Sequence, residues 1–116
     1  MPDVVIYHNP ACSMSRNTLA LLRDKGVEHQ VVEYLKAGWR KEQLQDLASR
    51  AGQSVRAFLR VQGTQADDLG LTDPTTSEEA IIAAMILDPL LVNRPIVETP
   101  RGVALCRPAE LVLTLL

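Results

Sequence analysis

Residues 4–35 read VVIYHNPACSMSRNTLALLRDKGVEHQVVEYL. VVIYH (4–8) is a short β-branched run that stops at Asn9-Pro10, a turn pair, and reads as a buried strand. From about Ser15 to Lys25 the apolar residues have helical density, and Gly26 supplies the natural stop. HQVVEYL (29–35) reads as a second strand. Strand, helix, strand in that order implies a crossover connection and a parallel pair. A cysteine, Cys12, falls on the turn between the first strand and the helix.

The rest of the chain extends this start. Leu44, Leu47, Ala48 and Ala51 follow a helix-face spacing that ends at Gly52. SVRAFLR (54–60) is a further short helix, and 62–74 is turn-rich loop. Thr76 with Glu79 predicts a capping box for a helix over about 77–88, ended by Asp88-Pro89. IVET (96–99) and VALC (103–106) flank a turn at Pro100 to Gly102 and predict a hairpin. Pro108 suits the first position of a closing helix with Leu111, Val112 and Leu115 on one face. The order is β-α-β, a helical insertion, then β-β-α. Its simplest closure is an α/β, thioredoxin-like fold: a four-stranded mixed sheet flanked by helices, formed as a single domain over 1–116.

Composition narrows the function classes. A chain of 116 residues has room for one core, and with few aromatics that core must be aliphatic. A formal charge of -2 leaves no electrostatic footprint for nucleic acid or an anionic membrane. No run is long enough to span a bilayer, and MPDVVIYHNP lacks the pattern of a secretory signal. The two cysteines, Cys12 and Cys106, are no disulfide framework; a reducing cytoplasm and free thiols are expected.

Helix N-termini present unpaired N–H groups and partial positive charge, and both favour thiolate over thiol at Cys12. His8 and Arg16 flank it, and Ser13 and Ser15 can hydrogen-bond a thiolate. Cys12-Ser13-Met14-Ser15 is C-x-x-S, so no second cysteine can close a disulfide across the turn. Oxidised Cys12 must turn to an external thiol or to Cys106. The C-x5-R loop of phosphatase-type sites is absent, because the sixth residue after Cys12 is Thr18. Positive charge for an oxyanion must come from elsewhere, and arginine suits it by its planar fork. Arg94 precedes Pro95 at the start of a strand, and Arg107 precedes Pro108. In a thioredoxin-like fold a cis proline before the third strand lies opposite the cysteine turn, the place Pro95 takes in this order. These residues point to a reactive thiolate without naming its target; Cys106, in an apolar strand, reads as packing.

YHNPACSMSRNTL (7–19), SVRAFLR (54–60) and LLVNRPIVETPRGVALCRPAELVL (90–113) together resemble the glutaredoxin-linked arsenate reductase family, over essentially the whole chain; 35–53 matches only loosely. The resemblance implies that Cys12 attacks arsenate and that His8 lowers its pKa. It implies Ser15 as a thiolate partner and Arg60, Arg94 and Arg107 as oxyanion ligands. It implies glutathione as co-substrate, glutaredoxin as partner, and no metal or tightly bound cofactor. Some members carry a longer C-terminal tail, and any role of that tail is not expected of a sequence ending at Leu116. Relatives with the same fold act on other thiols or bind RNA polymerase. A monothiol oxidoreductase and a non-catalytic regulator are therefore the alternatives, and Ser15 argues against the second, whose members typically carry C-x-x-C.

Overall fold

The computed structural model describes residues 3–116. They form two compact units: residues up to Ala37 together with Arg94–Leu116, and Gly38–Asn93. The first unit holds strands β1 (Val5–His8), β2 (Gln30–Glu33), β3 (Ile96–Thr99) and β4 (Gly102–Leu105), with helices α1 (Ser13–Asp24) and α2 (Tyr34–Ala37). A 3₁₀ helix over Ala109–Leu115 ends the chain. The sheet order is β2-β1-β3-β4, with β1 and β2 parallel and the other two pairs antiparallel. This is the expected four-stranded mixed sheet.

Period-two alternation places Ile6 and Val97 opposite one another on one face of the sheet. There they pack with Leu19 and Leu22 of α1, Val112 and Leu115 of the closing helix, and Cys106. Gly26 follows α1 with φ 65°, a left-handed turn in which a Cβ would be strained.

Four local expectations are corrected. The second strand stops at Glu33 and not at Leu35. Among the described residues its ladder partner is β1, which ends at His8, paired with Glu33. The ladder ends at that pair, and the chain turns into α2 at Tyr34 with that ring fully buried. In the hairpin, β4 is Gly102–Leu105, so Cys106 lies just past the strand, its N–H bonded to the Pro95 carbonyl at 2.9 Å. The closing helix is 3₁₀, and Pro108 is its N-cap, one place ahead of the expected first position. Three residues per turn brings Ala109, Val112 and Leu115 to the core and leaves Leu111 outside.

The second unit contains α3 (Lys41–Arg50), a 3₁₀ turn over Val55–Phe58, α4 (Glu78–Leu87) and a 3₁₀ turn over Pro89–Leu91. Residues 62–76 run mainly as turns and bends, as their composition predicts. The fourth correction is here: the cap of α4 is Ser77, whose hydroxyl accepts the Ala80 N–H at 3.1 Å. Thr76 instead donates to the Gly70 carbonyl, so the expected Thr76/Glu79 box does not form.

Candidate active site

β1 delivers His8 to the edge of the cysteine turn, and Asn9-Pro10 reverses the chain. The Cys12 N–H closes this turn onto the Asn9 carbonyl at 3.0 Å. Cys12 then takes the N-cap of α1 in extended conformation, φ −96° and ψ 122°. A cap side chain faces the N–H groups two and three residues on, here Met14 and Ser15. No cap hydrogen bond closes at the sulfur in this structure, yet those two amides still favour its anion.

Burial pushes the Cys12 thiol up. The Ser15 N–H, the Arg94 guanidinium and the Met14 N–H outweigh it and bring the pKa down to about 7. Arg107 adds a second cation: its Nη1 lies 3.9 Å from the Cys12 sulfur and donates to the Arg94 carbonyl at 2.9 Å. Arg107 therefore touches the sulfur and fixes the backbone that carries Arg94. The Arg94-Pro95 and Arg107-Pro108 peptides are both cis.

His8 is buried and reaches Ser15, with Nδ1 and Oγ hydrogen-bonded at 2.6 Å. Burial lowers its pKa; Glu33 raises it, and Arg23 and Arg16 lower it further. The net direction keeps the imidazole neutral near pH 7, so it lends the sulfur no full positive charge. The Ser15 hydroxyl is likewise engaged away from Cys12, accepting the Asn9 N–H at 3.1 Å as well as meeting His8. Ser15 acts on the thiol through its backbone N–H.

Cys12, His8, Ser15, Arg94, Pro95 and Arg107 all belong to the first unit. Arg60 belongs to the second, where Nε donates to the Gln62 carbonyl at 3.1 Å and Nη1 to Asn93 Oδ1 at 3.4 Å. The second unit also has a cavity of about 680 Å³ lined by Gln45, Ser49, Val55, Ser77, Glu78 and Ile82 among others; it contains none of the site residues. No group of three or more metal-ligating side chains occurs among the described residues.

Two residues that the sequence marks only as a turn former and a flanking charge, Asn9 and Arg16, make specific contacts around the thiol. Asn9 Oδ1 accepts the Ala11 N–H at 3.0 Å, and Arg16 Nη1 donates to the Pro10 carbonyl at 2.8 Å. The Asn9 contact has a readable signal, since an Asn side chain commonly accepts from the amide two residues on. The Arg16 contact has none, because a helix arginine reads first as a solvated charge.

What this arrangement can do is clear from its parts. An ionisable sulfur faces two guanidinium groups and a helix N-terminus, all of which attract an anion to a nucleophile.

Comparison with known proteins agrees with that chemistry. An arsenate reductase of Rhizobium meliloti (strain 1021) is 50% identical over 113 residues, 97% of this chain and 81% of that protein. An arsenate reductase of Escherichia coli (strain K12) is 43% identical over 116 residues, 100% of this chain and 82% of that protein. The structure of an arsenate reductase from Vibrio cholerae superposes with a TM-score of 0.93 at 42% identity, covering 99% of this chain and 98% of that one. That likeness carries the thioredoxin-like fold. The ArsC family model matches residues 7–115, and the chain belongs to the ArsC family.

Proposed function

We propose that this chain is an arsenate reductase in which Cys12 is the nucleophile and Arg60, Arg94 and Arg107 hold the oxyanion. The observation that carries the reading is the Cys12 sulfur, brought to a pKa of about 7 beside the Arg94 and Arg107 guanidinium groups. Family membership supplies the substrate class, and Arg60 enters by its motif position alone.

The chemistry is a two-electron reduction. The Cys12 thiolate displaces one arsenate oxygen, which leaves as water, and forms a sulfur–arsenic(V) bond. The arginines orient the oxyanion and then meet the charge on its oxygens. Glutathione attacks the adduct. Two electrons pass from the two sulfurs to arsenic, giving arsenite and a Cys12–glutathione disulfide. Glutaredoxin returns Cys12 to the thiol by exchange. His8 and Ser15 support the first step by holding the turn and its N–H donors.

An external thiol is required because the chain offers no internal one. Cys106 is fully buried, and burial pushes its thiol up to about 12. This chemistry needs a reducing compartment, and we place it in the cytoplasm, with residues 1–116 acting as one domain and with no tightly bound cofactor. No described helix is long and apolar enough to cross a membrane.

The test is arsenite formation by the purified chain with glutathione and glutaredoxin, coupled to NADPH oxidation. The reading expects oxidation that depends on arsenate and on both reductants. Oxidation that ignores arsenate, or none at all, would refute it.

A further inference from the structure

The turn before Cys12 is closed almost entirely on itself. The Asn9 N–H goes to Ser15 Oγ, the Asn9 carbonyl takes the Cys12 N–H, and Asn9 Oδ1 takes the Ala11 N–H. Pro10 has no N–H, and its carbonyl takes Arg16 Nη1. The Cys12 carbonyl accepts the Arg16 N–H at 3.0 Å as the first bond of α1. Of these five bonds, three run through Asn9, which is only 4% exposed.

Two consequences follow. No N–H from Asn9 to Cys12 is left to receive an anion, because each is already donated within the turn. The amides available at the sulfur are those of the first turn of α1, and the rest of the charge on a bound oxyanion falls to arginine side chains. The direction of the sulfur also depends on the backbone at Cys12, which is held from one side by α1 and from the other by Asn9.

We infer that Asn9 is a positioning residue: its backbone and Oδ1 fix Cys12 at the N-cap of α1, so that the sulfur faces the Met14 and Ser15 amides and the Arg94 and Arg107 guanidinium groups. Asn9 acts through the turn and touches neither the sulfur nor the substrate in this role. The inference rests on the reading of Cys12 as the reacting thiol but not on the identity of the oxyanion. The groups that face Cys12 are Arg94 from the segment before β3, Arg107 from the segment after β4, and the α1 amides. His8 meets Ser15 instead.

The test is the pH profile of Cys12 alkylation by iodoacetamide, read by mass spectrometry without arsenate. The variants are Asn9→Ala, Asn9→Ser and Asn9→Gln. Ala removes the side-chain acceptor. Ser restores a short one able to make the same kind of turn contact. Gln keeps the amide but sets it one carbon too far. The alkylation midpoint should rise by roughly one pH unit in Asn9→Ala and Asn9→Gln, as expected when favourable contacts to a thiolate are loosened. Asn9→Ser should recover at least half of that rise. Arsenate kcat should fall more at pH 6 than at pH 9 in Asn9→Ala, which a purely structural loss would not produce. A folded Asn9→Ala with the parent midpoint would overturn the inference. If Asn9→Ala does not fold, Asn9→Gln against Asn9→Ser decides: a higher midpoint in Gln supports it, and equal midpoints overturn it. Should the midpoints move as stated while the parent chain fails to reduce arsenate, the substrate reading falls and the role of Asn9 stands.

Discussion

Cys12 and Cys106 are the same side chain in the same compact unit, and their surroundings act on them in opposite directions. Burial raises the pKa of both. At Cys106 nothing opposes it: the sulfur sits among Val4, Ile6, Leu22, Val97 and Val112, with a contact to the Ala104 carbonyl at 3.7 Å, and the pKa rises to about 12. At Cys12 the α1 amides and Arg94 overcome it, and the pKa falls to about 7. The difference teaches that reactivity in this chain is set by donors aimed at the sulfur and not by depth alone. Cys106 is nonetheless the chain neighbour of a group that surrounds Cys12, since Arg107 follows it directly and reaches the Cys12 sulfur.

The largest expected effect breaks the comparison at its chemical end. Cys12→Ser should abolish arsenate-dependent NADPH oxidation. Cys106→Ala should leave it near the parent rate and cost about 1 kcal/mol of stability from the space left in the core. Urea unfolding and the coupled assay read the two effects separately.

Next are the arginines that make Cys12 unlike Cys106. Arg94→Ala or Arg107→Ala removes a charge-assisted contact worth about 1.5–3 kcal/mol. The matching loss in kcat/KM for arsenate is about 10- to 150-fold. Arg94→Ala should also raise the Cys12 pKa, followed by thiolate absorbance. Arg107→Ala should do so too, because Arg107 holds the Arg94 carbonyl.

Ser15→Ala sharpens the distinction between holding the turn and ionising the sulfur. It strips a partner from the buried His8 ring and from the Asn9 N–H. A stability loss of about 1–3 kcal/mol is expected, measured by urea midpoint. The Ser15 N–H remains, so the Cys12 pKa should move less than in Arg94→Ala.

The smallest effect is a pair of opposite pH slopes. Cys12 ionises near 7 in the folded chain against 9.0 for an ordinary thiol. Between those values the unfolded chain binds more protons, so this contribution to stability grows with pH and is lost as pH falls through 7. Cys106 ionises near 12 against the same 9.0. Its contribution is full below pH 9 and is lost as pH rises toward 12. Urea midpoints against pH should therefore flatten between 7 and 9 in Cys12→Ser and lose part of their alkaline decline in Cys106→Ala.

The β-α-β start, the hairpin and the mixed sheet were legible because each rests on local periodicity and turn chemistry. The closing 3₁₀ helix was not. Leu111, Val112 and Leu115 satisfy an α-helical face, and the choice of Ala109, Val112 and Leu115 is made by packing against α1 and the sheet. The end of β2 was hidden for a related reason, since it depends on where its neighbour β1 stops. At the site, the placing of Cys12 at a helix start followed from sequence. That the Ser15 hydroxyl serves His8 and Asn9, leaving its N–H to the sulfur, is a matter of side-chain direction that spacing does not encode.

The most direct test of Cys12 as the thiol that meets the oxyanion is site-resolved iodoacetamide labelling at pH 7, with and without arsenate. Cys12 should be modified while Cys106 stays untouched, and arsenate should slow the modification of Cys12. Comparable labelling of Cys106, or a Cys12 rate indifferent to arsenate, would contradict the account.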